Sequence, residues 1–405
     1  MTLLQATTLP DPQQTVSRSF IRLGALATGV IVTNLSAPQI LVALIGSSFG
    51  ISTAQAGMVS TSTLLGYATG LFLLVPLADI FENRNLIGFT LACTVTAAIC
   101  TALAPTPSLL LLCVFVLGVF CSAIQMLVPL IAAMAHPSER GRVIGDVMGG
   151  LMIGIMLSRP LASLIADAWD WRGFYAASAA AIAVLAIALM RRLPSLQPAA
   201  RISYAGLLGS FWTLWRDEPV LRVRSWTASL AMASFSAYWT AIALRLSASP
   251  FNLTARGIAI FALVGAAGAI ATPLAGRMGD RGWTRRGLCA SHLLIIVAPV
   301  LCALAEFVSS RTLALTVEGL GAILLDIGFT CDQILGRRAI NLLQPEARGR
   351  INGLYVGLFF IGGGIGAAAA SLAWSYGGWS AVCLAAGSFG FIALITDAVT
   401  STGTS

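Results

Sequence analysis

The stretch PSERGRVIG at 137–145 decides the fold, because it recurs as PEARGRING at 345–353, 208 positions later (345 − 137). Both copies keep the proline, an Arg-Gly-Arg triplet and the final glycine in one register. Two further pairs keep the same offset, namely Gly154 with Gly362 and Trp171 with Trp379. Agreement at so many positions indicates an internal duplication, in which each half of the chain is one copy of the same unit.

A second pair of segments supports the duplication. PLADIFENR at 76–84 and PLAGRMGDRGWTR at 273–285 each begin with Pro-Leu-Ala and each place an Asp five residues before an Arg. The four residues concerned are Asp79 with Arg84 and Asp280 with Arg285, and both pairs are 201 positions apart (280 − 79 and 285 − 84).

The composition places both copies in a membrane. Of 405 residues, 57% are hydrophobic and only 10% are charged, and the mean hydropathy is +0.87. A soluble domain carries about 25% charged residues, so the composition excludes a cytosolic enzyme, a nucleic-acid-binding module and a disordered chain. Phosphate-binding and hydrolase motifs are absent, which argues against ATP-driven transport and against an enzyme.

Apolar stretches of about 20 residues, each long enough to cross a bilayer, alternate with short polar breaks. They predict twelve transmembrane helices in two parallel six-helix repeats. The domains would be an N-terminal half at 1–190, a central cytoplasmic loop with an interfacial helix at 191–222, and a C-terminal half at 223–405. The spans, numbered here 1 to 12, are expected at 23–46, 56–78, 86–104, 109–134, 143–165, 173–190, 223–246, 257–276, 287–306, 313–335, 351–374 and 380–398.

The basic residues predict the orientation. All 24 are Arg; with both termini inside, nineteen fall in cytoplasmic segments, three in outer loops and two, Arg159 and Arg245, within spans. Basic residues accumulate on the cytoplasmic side, so both termini and the central loop are expected there. The net charge of +8 is explained in the same way and does not imply a nucleic-acid partner.

At these residues the chain resembles the major facilitator superfamily. The stretch GYATGLFLLVPLAD at 66–79 is similar to the end of span 2 and the following loop of that family, and GRMGDRG at 276–282 is its second copy. Within the family the chain is most similar to bacterial twelve-span drug and sugar efflux permeases, which act as proton antiporters. It departs from them at 149–160, GGLMIGIMLSRP, where Arg159 replaces the glycine of a Gly-Pro pair.

The resemblance implies a major facilitator fold in a bacterial inner membrane, with spans 1, 4, 7 and 10 around a central cavity. The polar and aromatic residues of the first three of these spans would line it: Asn34, Gln39, Gln125, Tyr238 and Trp239. The loop residues would form a gate that clamps the cytoplasmic ends of the two halves: Asp79, Arg84, Arg140, Arg142, Asp280, Arg285, Arg348 and Arg350.

Ionisable groups inside spans are costly to bury and are therefore functional candidates. Arg159 lies about 24 Å from the inner end of span 5 at 1.5 Å per residue, and it needs a carboxylate, an anionic solute or water. Asp326 lies near the middle of span 10, with Glu318 toward its outer end. Desolvation disfavours the charged form of a carboxylate, so we expect Asp326 to carry protons, with Glu318 second and Asp146 third.

The remaining titratable residues are given structural interpretations. Arg stays protonated and the chain has no Lys, so apart from carboxylates only His136 and His292 could carry a proton. His292 on span 9 is interpreted as structural, and Asp332 is expected to pair with Arg337 or Arg338. The eight cysteines form no metal-type spacing, and no cofactor or metal is expected.

Together these features predict a monomeric secondary active transporter that works by alternating access and exports a small organic solute or drug against proton entry. The alternatives are a proton-linked importer of an organic anion or sugar-like solute, drawn to Arg159, and a non-transporting membrane sensor. Its partners would be the solute, protons and the lipid bilayer.

Overall fold

The computed structural model describes residues 17–136, 139–195, 197, 203–344 and 347–401. The regular elements in these ranges are α-helices and short 3₁₀-helices. Pro137 and Pro345 of the repeated stretch, and Arg201 of the central loop, lie outside the described residues. Within the described ranges, ten helices are long and apolar enough to cross a membrane: Arg18–Phe49, Thr53–Asp79, Asn83–Leu103, Pro107–Ala133, Arg140–Met190, Pro219–Ser247, Ala255–Asp280, Thr284–Phe307, Arg311–Asn341 and Arg348–Thr400.

Two of these helices are too long to be single spans. Arg140–Met190 has 51 residues and Arg348–Ser401 has 54, or about 77 and 81 Å at 1.5 Å per residue, against a hydrocarbon core of about 30 Å. Each contains two non-helical residues, Trp169 and Asp170 in the first helix and Gly377 and Gly378 in the second. The all-α membrane fold is confirmed, and each of these two interrupted helices is long enough to form two spans.

The two breaks lie 208 positions apart (377 − 169), the offset of the repeated stretch. The second residue of each break has a positive φ, +68° at Asp170 and +61° at Gly378. Glycine adopts this conformation freely, whereas Asp170 is held by its own Oδ1, which accepts from the backbone N of Trp171 at 2.6 Å. The duplication read from the sequence is therefore also present in the backbone.

Glycines at the same offset bring two pairs of spans into backbone contact. A Cβ on Gly154 of span 5 would overlap the backbone of Gly29 on span 1, and a Cβ on Gly362 of span 11 would overlap the backbone of Ser229 on span 7. Small residues permit this close approach between membrane helices. Each half thus contains a tight helix crossing at the same position of the repeat.

The two halves meet along several pairs of spans, and hydrogen bonds mark three of them. Span 1 meets span 7 where Gln39 Nε2 donates to Ser236 Oγ at 3.3 Å. Span 2 meets span 11, where Thr61 Oγ1 donates to the carbonyl of Gly364 at 3.2 Å. Span 5 meets span 8, where Ser163 Oγ donates to the carbonyl of Ala255 at 2.8 Å. Any residue that serves both halves must lie along this interface.

A helix is present in the predicted central loop as Tyr204–Asp217, capped by Ser203. Leu207 and Leu214 are buried, whereas Trp212 is 70% exposed. Its first residue fixes it to the N-terminal half, because the Tyr204 hydroxyl donates to the carbonyl of Leu73 at 2.8 Å. Span 7 begins at Pro219, a few residues before the expected position.

Candidate functional site

Arg159 links the two halves at their centre. Its side chain is buried, and its Nη2 donates to Gln39 Oε1 at 3.0 Å. The guanidinium lies 4.1 Å from the centroid of the Trp239 ring and 5.3 Å from that of Phe235, both on span 7. A cation over an aromatic face is stabilised by about 2 kcal/mol when both are desolvated. Arg159 of the N-terminal half is therefore held by the C-terminal half.

Asp326 on span 10 faces the same place. Its carboxylate and Arg159 act on each other electrostatically without forming a direct ion pair among the described residues. Span 8 approaches closely here: a Cβ on Gly265 would meet Trp239 at 3.0 Å and Asp326 Oδ2 at 3.4 Å. Glycine at this position leaves room for both side chains.

Three polar atoms at this centre are buried without a hydrogen-bond partner among the described residues: Arg159 Nε, Trp239 Nε1 and Asp326 Oδ2. Buried polar atoms nearly always have partners, and each exception needs an explanation. These atoms are two donors and one acceptor, and they lie between the halves. The group of Gln39, Arg159, Trp239 and Asp326 is called the central site below.

Glu318 lies in a different environment. Its Oε1 is 3.4 Å from Arg245 Nε, and Arg245 Nη1 is 3.6 Å from Glu306 Oε1. The Tyr238 hydroxyl donates to the backbone carbonyl of Glu318 at 3.2 Å, so Tyr238 lies beside this ion pair. The sequence places Arg245 inside a span, but no role was predicted for it. Its position two turns after the aromatic pair of span 7 was the signal that could have marked it as a site residue.

The other predicted cavity residues contact neighbours outside the central site. Asn34 exchanges hydrogen bonds with Ser178 of span 6, at 2.8 and 3.0 Å. Gln125 donates to the Tyr67 hydroxyl at 3.1 Å, and the Tyr67 ring packs edge-on against Phe360 of the other half, with centroids 4.5 Å apart. Asn34 therefore joins spans within its own half, whereas Gln125 supports a contact between halves.

Asp146 lies apart from these groups. It is exposed and faces Arg142 one turn earlier, with Asp146 Oδ2 3.9 Å from Arg142 Nε. An exposed pair of this kind contributes little to stability. The structure thus brings Asp326 and Arg159 together and leaves Asp146 at the surface.

Of the predicted gate residues, Asp79 and Arg350 interact between halves, because Arg350 of span 11 acts electrostatically on the Asp79 carboxylate at the end of span 2. The contacts of Arg84 and Arg140 lie within the N-terminal half, to the carbonyls of Met190 and Ala135. In the C-terminal half, Asp280 Oδ1 accepts from Arg338 at 2.7 Å.

Two other gate candidates lie at the same end of the C-terminal half. The Arg348 carbonyl accepts from Asn352 at 3.0 Å, and Arg285 lines a cavity between spans 9 and 12. The two duplicated Asp residues are therefore not equivalent, because Asp79 meets the opposite half and Asp280 pairs within its own.

The expected partner of Asp332 is corrected by the structure. Its Oδ1 lies 3.1 Å from Nε2 of His292, and both side chains are buried, whereas Arg338 pairs with Asp280. The rotation of span 10 turns Asp332 toward span 9 rather than toward the following turn of its own helix. His292 is consequently part of a charged cluster.

Comparisons with known proteins agree with this architecture. Over 387 residues the chain is 34% identical to the putative uncharacterized transporter YgaY of Escherichia coli (strain K12), covering 96% of this chain and 97% of that protein. It is 24% identical to a probable sugar efflux transporter of Helicobacter pylori (strain ATCC 700392 / 26695), covering 91% and 92%. The solved structure of the nucleoside transporter NupG is similar in fold, with a TM-score of 0.75, 15% identity and coverage of 94% and 99%.

The family model described as Major Facilitator Superfamily matches residues 24–336. This match extends from span 1 into span 10 and includes Arg159 and Asp326 of the central site. The chain is a multi-pass membrane transporter that belongs to the major facilitator superfamily.

Proposed function

We propose that the protein is a proton-coupled exporter of a small organic solute, and that solute and proton use the central site in alternation. The observation that carries this proposal is the position of Arg159 over Trp239, facing Asp326, at the contact between halves. The protein acts as a monomer in a bacterial inner membrane, with both termini and the central loop in the cytoplasm.

The coupling follows from the charges. An ionised Asp326 attracts Arg159 across the interface and holds the halves together at their centre. A proton on Asp326 removes that attraction, so Arg159 is released and the halves can separate. A solute that donates hydrogen bonds to the ionised Asp326 carboxylate while it packs on Trp239 favours the deprotonated acid, so binding it displaces the proton. Exchange of one for the other is the requirement for antiport.

The solute class follows from the groups at the site. The Trp239 ring offers an apolar face, whereas Gln39, Arg159 and the indole N–H offer hydrogen bonds at its rim. Sugars and compact amphiphilic drugs combine an apolar face with polar edges. The name of the Helicobacter pylori relative, a probable sugar efflux transporter, supports the first of these classes and the outward direction.

Proteoliposomes with a pH-sensitive dye inside test the proposal. Mono- and disaccharides and cationic aromatic drugs are added in turn, and solute-dependent proton movement is recorded with and without an imposed pH gradient. We expect at least one class to move protons in the opposite direction to the solute, and Asp326→Asn to abolish that movement. Solute transport without proton movement would contradict the coupling, and the absence of both for every class would favour a sensor.

A second candidate function is proton-linked import of an organic anion. The free Nε of Arg159 favours it, because a guanidinium binds a carboxylate through two parallel hydrogen bonds. The same vesicles loaded with short monocarboxylates distinguish the two functions. Import requires proton and anion to move in one direction, whereas export by antiport requires opposite directions.

A further inference from the structure

A second group of charges, two of them buried and two half-buried, lies in the C-terminal half, away from the central site. Its four members come from spans 7, 9, 10 and 12 and are called the His292 cluster: Arg224, His292, Asp332 and Asp397. His292 Nε2 is 3.1 Å from Asp332 Oδ1, and its Nδ1 is 3.2 Å from Asp397 Oδ2. Arg224 donates to the Asp397 carboxylate through Nη1 and Nη2 of its guanidinium group.

The arrangement around the imidazole requires a proton. A neutral imidazole has one N–H donor and one bare nitrogen, and an ionised carboxylate can only accept. Carboxylate oxygens lie within 3.2 Å of both ring nitrogens, in hydrogen-bond geometry at Nε2 and outside it at Nδ1, so a neutral ring would set a lone pair close to an oxygen of Asp332 or Asp397. The charges are balanced by an imidazolium, or by a neutral ring beside one protonated carboxyl group. Either state contains one proton more than a neutral ring with two carboxylates.

The charge balance gives the same result. With both acids ionised and both bases protonated, the four side chains sum to zero, and loss of one proton leaves a buried net charge of −1, which is costly. Further titratable or cationic groups face the cluster from spans 9, 10 and 11 and from the neighbouring cavity: Arg285, Cys289, Cys331, Arg337 and Tyr355. The hydroxyl of Tyr355, like Asp332 Oδ2, has no hydrogen-bond partner among the described residues.

A cavity lies beside the cluster. It has a volume of about 360 Å³ and is lined by Arg224 and Asp397 of the cluster together with Thr284, Arg285 and Cys289 at the start of span 9. The start of span 9 is the cytoplasmic end under the orientation that the Arg residues indicate. His292 lies two turns further into the membrane on the same helix.

We propose that the His292 cluster is a second proton-binding site, which exchanges one proton with the cytoplasm through this cavity. On binding, a proton from water joins a ring nitrogen of His292, an N–H bond forms and no electrons are transferred. On release, the proton returns to cavity water, and the net negative charge left behind loosens the contact that joins spans 9, 10 and 12. This site goes beyond the exporter proposal, since it does not involve Asp326 or the solute.

The chain has only two histidines, His136 and His292, which makes a direct test possible. Full-length protein carrying His136→Gln is labelled with ¹⁵N-histidine in lipid nanodiscs, so that every ring-nitrogen signal comes from His292. Spectra are recorded from about pH 5 to about pH 10, a range that includes the ordinary titration of His. We expect both ring nitrogens to be protonated at the acid end and one proton to be lost within the range.

Two outcomes would overturn the proposal. A ring that stays doubly protonated at every pH would be a permanent structural ion pair. A ring that stays neutral, with no infrared band of a protonated carboxyl group in the same sample, would mean that no proton is bound. The measurement needs no solute, so its failure is distinct from failure of the exporter proposal.

Three variants assign the effect to the cluster. Asp332→Asn and Asp397→Asn each remove one carboxylate from His292, so we expect each substitution to change the pH at which the ring loses its extra proton. Asp280→Asn is the matched control, because Asp280 is exposed and pairs with Arg338; it should leave the titration unchanged. Melting curves confirm that each variant folds, and a titration that is the same in all three would contradict the assignment.

Discussion

The guanidinium of Arg159 on span 5 lies 4.1 Å from the ring centroid of Trp239 on span 7, so a cation of one half rests on an aromatic ring of the other. This contact lies at the level of Asp326, beside the glycines of span 8. Because the two residues belong to different halves, any movement that opens the centre of the protein must break it. The presence of this contact therefore indicates that the interface between the halves is closed at its centre.

Removing the charge of Asp326 should uncouple transport. We expect Asp326→Asn to abolish uphill transport driven by a pH gradient, because the amide cannot bind and release a proton, while solute binding and solute exchange persist. Asp146→Asn is the matched control, since Asp146 is an exposed carboxylate on the other half. Transport into proteoliposomes checks this, and full uphill activity in Asp326→Asn would transfer the role to Glu318.

Removing the aromatic face should weaken the central contact without removing a charge. Trp239→Leu deletes a cation–π interaction worth about 0.5 to 2 kcal/mol. We therefore expect solute binding to weaken about 2- to 30-fold if the solute uses Arg159 as Trp239 positions it. Binding by isothermal titration calorimetry checks this. Phe235→Leu, which changes the more distant ring, should have the smaller effect, and the reverse order would contradict the assigned geometry.

Asp79 and Asp280 should respond differently to the same substitution. Asp79→Asn removes the charge that Arg350 of the opposite half acts upon, so we expect the conformational cycle to slow while solute affinity stays within about twofold. Asp280→Asn affects a pair inside one half and should leave turnover nearly unchanged. Turnover and equilibrium binding measured on the same preparations check this, and a large loss of affinity with normal turnover in Asp79→Asn would contradict the gate.

Alanine substitutions at two glycines of span 5 should change the stability of the protein in opposite directions. A Cβ at Gly154 would overlap the backbone of Gly29, whereas nothing lies within 4 Å of a Cβ at Gly149. Gly154→Ala should lower stability by about 1–3 kcal/mol through overpacking, and Gly149→Ala should raise it by up to about 1 kcal/mol through helix propensity. Thermal unfolding in detergent checks the signs, and equal shifts would contradict the close crossing.

The ion pair of Arg245 and Glu318 should behave as a unit. Arg245→Gln leaves a fully buried carboxylate without its partner, which costs about 3–5 kcal/mol when an ion pair is broken in this way. Adding Glu318→Gln removes the isolated charge, so the double variant should recover a large part of the loss. Unfolding of the two single variants and the double variant checks this, and additive losses would show that the pair does not act as one.

The fold could be predicted because its signals are local or repeated. Each apolar run fixes one helix, and the 208-residue offset relates Trp169 to Gly377 without knowledge of any contact. The contacts of the site depend instead on how each helix is rotated about its axis. Spacing along span 10 placed Asp332 near Arg337 and Arg338, but the rotation of the helix turns it toward His292.

Contacts between distant spans could not be predicted for the same reason. Arg159 and Trp239 are 80 residues apart, and neither spacing nor composition indicates that span 5 reaches span 7. Asp397 of span 12 was given no role from the sequence, yet it meets both Arg224 and His292. Charge inside a span marked Arg159 as a candidate, and only the packing of the helices determines which residues meet.

The glycine crossings at Gly154 and Gly362 have a mechanical consequence. Because backbone packs directly against backbone at these crossings, no flexible side chain there can adjust to a displacement. Each half therefore moves as a rigid body. Half the hydrocarbon core is about 15 Å, so a tilt of one half by about 10° would move the ends of its helices by about 3 Å. That distance is enough to separate hydrogen-bonded atoms between the halves, while every contact inside a half keeps its length.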